Sequence, residues 1–331
     1  MDKVSLKKAL YTLGIATDLG LETPGAKLAP SVLFQLLRVN EKLAKLGSVI
    51  ETSKLPENII ADDIKALVVG GSPNKEERIE RIANLCHRTA RQIQKDLDQV
   101  KETHESYHAL FLGGDHSIAM GTYAGVANHL AHKLGVLWID AHGDFNVWKT
   151  TDSKNIHGMA LASILGQVRD GEENMNDEKS LFDFCLTEHR PSPDDIVIWG
   201  ARKLDDKEID RLRYFGIKVY SATDIERITL REIMDRIVDK FKAKRMKVHV
   251  SLDLDAIDPK YAPGVSTPVN GGITDRELFY IAETLNLNDL VFSLDVVEYN
   301  ITEDDKIITA EFAAEAILHF FGKTYSPNLS R

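Results

Sequence analysis

Short apolar blocks and longer amphipathic ones alternate along this chain. Runs rich in β-branched and apolar residues recur at 10–16, 108–114, 134–140, 195–200, 216–221, 247–255 and 290–298, with a weaker run at 47–52. Each is short and bounded by turn-forming residues, so each reads as a strand. Between them apolar positions return at helical spacing over about 30–47, 74–105, 117–133, 158–170, 205–213, 223–242, 274–286 and 309–322. Alternating strands and helices predict an α/β fold, a mainly parallel sheet with helices on both faces. No internal repeat, low-complexity tract or Pro/Gly-rich linker interrupts the pattern, so residues 1–331 are expected to form a single domain. The least periodic stretch, 166–195, is acidic and polar with an apolar patch at Leu181 to Phe184. It is expected to be a surface insertion, with a functional lid as the other reading.

The run at 247–255 departs from an ordinary core strand. Alternate side chains of an extended chain share a face, so Val248, Val250, Leu252 and Leu254 point one way and Ser251, Asp253 and Asp255 the other. Two carboxylates separated by one residue stand ~6.5–7 Å apart at Cα. Unpaired, they are costly to bury. A positive group is expected beside them.

In open parallel sheets reactive groups gather beyond the carboxyl ends of the strands. Other strand ends here also turn polar: "GGDHS" carries His116, "DAHGD" carries Asp140, His142 and Asp144 at i, i+2 and i+4, and "SLDVVE" ends on Glu298. Taken singly, each has a bland reading as a turn or a helix cap. Together His116, Asp140, His142, Asp144, Asp253 and Asp255 supply four carboxylates and two imidazoles, more than one ordinary cation uses. Two divalent ions about 3.5–4 Å apart would neutralise the carboxylates, share a water and lower its pKa. Hydrolysis is the reaction class this suggests. Oxygen-rich ligation with two histidines and no cysteine suits Mn²⁺, and also admits Zn²⁺, Co²⁺ or Fe²⁺.

A rival motif is "HESYH", residues 104–108, which matches the zinc-binding H-E-x-x-H. That motif needs a helix running through His108, whereas "ALFLGG" after it reads as a strand. His104 and His108 are therefore expected at the surface of a helix-to-strand junction.

Composition and charge narrow the partners. The chain has 331 residues, 43% hydrophobic and 28% charged, with a net charge of −10. That balance argues against nucleic acid or an anionic membrane as a partner and is compatible with a cationic small-molecule substrate. The beginning lacks an apolar export segment, and no stretch approaches the ~20 apolar residues of a membrane span. A cytoplasmic location away from the membrane is expected. Cys86 and Cys185 are too few for a disulfide framework or a cysteine-based zinc site. Cys86 shares an apolar helical stripe with Ile79, Ile82, Leu85, Ile93 and Leu97 and is expected in the core.

The segments "GGDHS", "DAHGD", "SLDLDAIDP" and "PGVSTPVNGG", in this order within about residues 10–320, resemble the motifs of the ureohydrolase family, which includes arginases, agmatinases and formiminoglutamases. The resemblance implies a three-layer αβα fold of the arginase/deacetylase type, with a sheet of about eight strands and two Mn²⁺ per subunit. It implies one ion on His116, Asp140, Asp144 and Asp253, and a second on Asp140, His142, Asp253 and Asp255. Asp144 would also help move a proton to the leaving amine, and His157 resembles the family's proton-shuttling histidine. The loop "DFNVWKTTDSKNIHG" resembles the arginase version, with Asn146 and Ser153 at the α-carboxylate and Thr151 as a further hydroxyl contact. Asp205 would take the α-amino group, Glu298 the guanidinium, and Thr267 a further substrate contact. Hydrolysis of L-arginine to L-ornithine and urea is the activity implied, with agmatinase or another guanidino or formimino hydrolase as the alternative. The family also implies a homo-oligomer, trimer or hexamer. Ala29 stands where the family usually has Gly, and Lys203 where arginases often carry a second carboxylate.

Overall fold

The computed structural model describes residues 8–21, 24–54, 75–167, 181–221 and 223–325. Its strands are β1 (Ala9–Ile15), β2 (Val49–Lys54), β3 (Tyr107–Gly113), β4 (Gly135–Ile139), β5 (Ile196–Ala201), β6 (Lys218–Ser221), β7 (Val248–Asp253) and β8 (Val291–Val297). They form one sheet in the order β2-β1-β3-β8-β7-β4-β5-β6, with every neighbouring pair parallel. Parallel pairing requires long crossovers, which here are mostly helical. The helices are α1 (Val39–Lys45), α2 (Lys75–Thr103), α3 (Ala119–Leu130), α4 (Ala160–Leu165), α5 (Asp206–Phe215), α6 (Leu230–Ala243), α7 (Asp275–Leu287) and α8 (Ile308–Phe320). This is the expected three-layer αβα architecture.

Strand alternation divides the core in two. Tyr11, Phe111, Trp138 and Ile198 face α2, α3 and α4, while Leu10, Leu110, Leu137 and Val197 face α1, α6, α7 and α8. On β7, Val248, Val250 and Leu252 join the second layer as expected. The opposite positions, His249, Ser251 and Asp253, are polar and at most 3% exposed. Their neighbours on β8 are in register, His249 with Ser293 and Ser251 with Asp295. A polar seam therefore runs up the middle of an otherwise apolar layer towards the strand ends.

Several boundaries differ from the sequence expectation for local reasons. The helix expected over 30–47 is broken: a π-helical turn spans Val32–Leu36, and Arg38 adopts a left-handed conformation before α1. The helix expected from 223 starts at Leu230, because the Thr229 side chain caps it by accepting from the Glu232 N–H. α4 stops at Leu165, where Gly166 takes the left-handed cap conformation. β3 already contains His108, whose ring Nδ1 lies 2.9 Å from the Val291 carbonyl. His108 is thus half-buried rather than on the surface, and burial pushes its pKa down to about 4. Cys86 is buried in the core as expected, and Cys185 is buried with it. Among the described residues no helix is long and apolar enough to cross a membrane.

The segment 166–195 needs correction in its described part. Residues 168–180 lie outside the described residues, but Leu181, Phe184 and Cys185 are at most 1% exposed and belong to the core beside α3 and α4. Arg190 ties them down by donating to the carbonyls of Ser163, Ile164, Phe182 and Cys185. Leu181, Phe184 and Cys185 are core, while Asp183, Leu186 and Glu188 beside them are exposed. Phe184→Ala should cost about 3–5 kcal/mol in urea unfolding, as for other buried aromatic truncations. A change below about 0.5 kcal/mol would mark the segment as peripheral.

Candidate metal centre

Four consecutive strands, β3, β8, β7 and β4, deliver their C-terminal ends to one place. After β3 the chain passes Gly114, whose N–H donates to Ile15 O and whose carbonyl accepts from Glu298 N. A Cβ there would lie 1.7 Å from the Thr17 carbonyl oxygen, so only glycine fits. Asp115 then caps a short turn, taking Ser117 N–H on one oxygen and Gly20 N–H on the other, both at 2.9 Å. That turn presents His116. β7 ends on Asp253, whose Oδ1 accepts from Asp255 N at 2.7 Å. The cap reading thus accounts for one Asp253 oxygen and leaves the other for His116. After β4, Asp140 likewise accepts from His142 N at 2.7 Å and from the Trp138 indole N–H at 3.0 Å.

His116 Nδ1 lies 3.2 Å from Asp140 Oδ2, 3.0 Å from Asp144 Oδ2 and 3.1 Å from Asp253 Oδ2. His142 Nδ1 lies 3.0 Å from Asp255 Oδ2 and 3.4 Å from Asp140 Oδ1. One imidazole N–H cannot serve three carboxylates. Donors about 2.0–2.2 Å from a divalent ion are separated by about 3 Å along an octahedral edge, which is the spacing seen around His116. His116, Asp140 and Asp144 form one candidate group, and Asp140, His142 and Asp255 a second, with Asp140 common to both. Electrostatics favour the same occupant. Burial, followed by Asp255 and Asp140, pushes the Asp253 carboxyl well above its ordinary range. Burial and Asp140 lift Asp144 to about 6. A pair of divalent cations would relieve both effects.

Two residues of this region are non-glycine with positive φ: Asp144 at 48° and Glu298 at 64°. Each such conformation costs about 1–2 kcal/mol and persists only when neighbours impose it. The Asp144 carbonyl accepts from the N–H groups of Leu161 and Ala162 at the start of α4, and Glu298 N donates to Gly114 O. Glu298 Oε1 accepts from His116 N at 2.8 Å and lies 2.9 Å from His157 Nδ1. Its other oxygen, Oε2, is buried without a hydrogen-bond partner among the described residues. Burial opposes a charge on His157, but Glu298 outweighs it and raises the imidazole pKa to about 9.

A cavity of about 270 Å³ opens over the cluster, and Asn146, Thr151, Ser153, His157, Asp205 and Thr267 all line it. Asn146 donates from Nδ2 to Asp205 Oδ2 at 3.0 Å and accepts from Thr150 Oγ1 at 2.8 Å. Thr151 Oγ1 and Ser153 Oγ are 3.3 Å apart. Thr267 donates to Asp255 Oδ2 at 2.8 Å and so supports a candidate ligand directly. Glu298 is 1% exposed and lies beneath His157.

Sequence reasoning missed a supporting layer. His116 Nε2 lies 2.8 Å from Ser251 Oγ, which donates to Asp295 Oδ2 at 3.4 Å. The same oxygen accepts from Thr122 at 2.8 Å and lies 3.1 Å from His249 Nε2. The Trp138 ring stacks on His116 with centroids 4.0 Å apart. Extending the Ser251, Asp253, Asp255 alternation one step back reaches His249, and this signal was available. From α5, Glu208 accepts the Phe145 N–H at 2.8 Å and Arg211 Nε donates to the Phe145 carbonyl at 3.1 Å. Together they clamp the peptide between Asp144 and Asn146. In sequence Glu208 and Arg211 resemble solvent-facing helix charges, and nothing marks them. Arg202 holds the loop after β7 by donating to the carbonyls of Asp255, Ala256 and Val269.

A parallel three-layer fold with a buried carboxylate and imidazole cluster at its central strand ends defines a candidate dinuclear metal enzyme. The sequence profile of the Arginase family matches residues 8–322. The chain is 34% identical to the arginase of Bacillus caldovelox over 319 residues, 96% of this chain and 99% of that protein. It is 34% identical to the arginase of Bacillus subtilis (strain 168) over 327 residues, with 96% and 99% covered. The crystal structure of arginase from Bacillus cereus shares its fold with a TM-score of 0.80 at 34% identity, covering 96% of this chain and 100% of that chain. For the native Bacillus caldovelox arginase structure the TM-score is 0.81 at 33% identity, with the same coverage. The chain belongs to the arginase family, as its resemblance to ureohydrolases implied.

Two outcomes follow. Outer partners that orient a metal-binding histidine typically carry 10–100-fold in affinity, so Asp295→Asn should weaken Mn²⁺ binding by about that factor in chelator competition. Unchanged affinity would leave Asp295 a packing residue only. Glu208 supplies a pH test, because burial raises its carboxyl from 4.5 to about 8. Between those values the folded chain holds a proton that the unfolded chain has released, so stability falls as pH rises through this window. Glu208→Gln keeps an acceptor for Phe145 N–H and should flatten that decline in urea unfolding of the metal-free protein. An identical slope in wild type and variant would contradict it.

Proposed function

We propose that this protein hydrolyses L-arginine to L-ornithine and urea at a dinuclear manganese centre. The observation that carries the reading is Glu298 Oε2, a buried carboxylate oxygen without a partner among the described residues, next to the acidic cluster in a chain of the arginase family. His116, Asp140, Asp144 and Asp253 would hold one ion, and Asp140, His142, Asp253 and Asp255 the other. When bound, the ions lower the pKa of water and so supply a nucleophile at neutral pH.

The residues of the chain do the rest. Glu298 pairs with His157 in the free protein, and an entering guanidinium replaces that imidazolium on the carboxylate. Glu298 Oε2 gives the substrate a second acceptor. Asn146, Thr151 and Ser153 hold the α-carboxylate end and Asp205 the α-amino group, so that attack on the guanidinium carbon is positioned rather than bimolecular. Water adds to that carbon, the bond to the ornithine nitrogen breaks, and this nitrogen needs a proton. His157, protonated near neutrality and displaced from Glu298, can deliver it, with Asp144 handling the proton released by water. The reading takes residues 1–331 as one domain, working as a cytoplasmic homo-oligomer, a trimer or hexamer.

The test is urea release from L-arginine together with metal analysis. The wild type should bind two Mn²⁺ per chain and release urea, and Asp140→Ala should lose both ions and all turnover, because this carboxylate belongs to both groups. A wild type that holds two ions but releases no urea from L-arginine would sink the arginine reading. Two ions retained by Asp140→Ala would sink the ligand assignment.

A further inference from the structure

Six of the fifteen residues that line the cavity are acidic. Besides the candidate ligands Asp144, Asp253 and Asp255, it carries Asp152, Asp205 and Glu208. Against these, among the described lining residues, stand the imidazoles of His142 and His157 and a single lysine, Lys203, with no arginine. Lys203 is exposed, and its ammonium has no hydrogen bond or ion pair among the described residues. A free ammonium at the rim of an anionic cavity is a charge left for something that enters.

The backbone holds it there. The N–H groups of Arg202 and Lys203 both donate to Ala141 O, at 2.9 and 3.0 Å, which ties this segment to the loop after β4. The neighbouring Arg202 side chain is fixed on four carbonyls of the chain beyond β7. Lys203 and Asp205, two residues apart, both reach the wall, so one short segment offers a cation and an anion side by side.

An α-amino acid that enters guanidinium first leaves its ammonium and carboxylate, separated by one carbon, at this rim. Asp205 answers the ammonium. The carboxylate meets neutral hydroxyls and the Asn146 amide, whose Nδ2 already donates to Asp205. Hydroxyls can bond a carboxylate, but they carry no charge to offset its own, and Asp152 and Asp205 line the same cavity. We infer that Lys203 is the counter-charge for the substrate α-carboxylate, and that it sets a preference for zwitterionic over purely cationic guanidino substrates. The inference rests on the arginine reading and deepens it. Attraction of the carboxylate and repulsion of a dication act in the same direction.

The test compares L-arginine with agmatine, which keeps the amine and guanidinium but lacks the carboxylate, on full-length protein loaded with Mn²⁺. Lys203→Met should lower kcat/KM for L-arginine about fivefold, mainly through KM, the upper end for a partly solvated ion pair. Agmatine turnover should hold or rise. Lys203→Arg should restore the wild-type ratio of the two substrates and Lys203→Glu depress it further. Added salt should weaken L-arginine use by the wild type more than by Lys203→Met. An unchanged ratio in both Lys203→Met and Lys203→Glu would overturn the proposal while wild-type urea release leaves the arginine reading standing. Equal losses on both substrates would overturn it too, by making Lys203 a structural residue. Absence of wild-type turnover on L-arginine would instead strike the reading beneath it.

Discussion

Like charges out of water are the constraint on which this structure turns. Asp140, Asp144, Asp253 and Asp255 are at most 6% exposed and converge on two imidazoles at the central strand ends of a mainly apolar sheet. Such a cluster cannot be both buried and fully ionised without a counter-charge. The strand order answers half of the difficulty, since β3, β8, β7 and β4 are consecutive and the candidate donors follow within a few residues of the ends of β3, β4 and β7. Divalent cations would answer the other half. Around this core the remaining features fall into place: a strained Asp144 held by α4, an Asp253 that caps its own turn, and a polar seam under His116.

How much of this was legible depended on whether a residue's partner lay along the chain or across it. The central strands could be read because they are short, mainly apolar runs buried on both faces, and the boundaries of β3, β4 and β7 fall within a residue or two of expectation. The candidate cluster could be read because its residues follow closely on the apolar runs of β3, β4 and β7, although β7 ends at Asp253 and Asp255 sits in the short turn beyond it rather than on the strand. Glu208 and Arg211 could not, since what distinguishes them from surface helix charges is a peptide sixty residues earlier. Leu181, Phe184 and Cys185 failed for a related reason: three apolar residues in a polar stretch make no period, and only α3 and α4 show that they are core. His249 and Asp295 belong to neighbouring strands and become a pair only through the sheet register.

Glu298 has a double role within the proposed reaction. In the free protein its carboxylate is balanced by His157, so the site need not carry an open buried charge while it waits for a cation. A guanidinium then exchanges with an imidazolium, one cation for another, and little electrostatic work attends entry. The displaced histidine leaves with its proton, in the neighbourhood where one is consumed.

The parts of the cavity also have separate origins. The candidate metal donors come from the ends of β3, β4 and β7, whereas Lys203 and Asp205 come from the short segment between β5 and α5. That segment is tethered through its backbone and through Arg202, which leaves its other side chains free to vary. A lineage built on this scaffold could therefore drift from one guanidino compound to another by a few replacements at the rim, while the reacting end of the site is inherited intact.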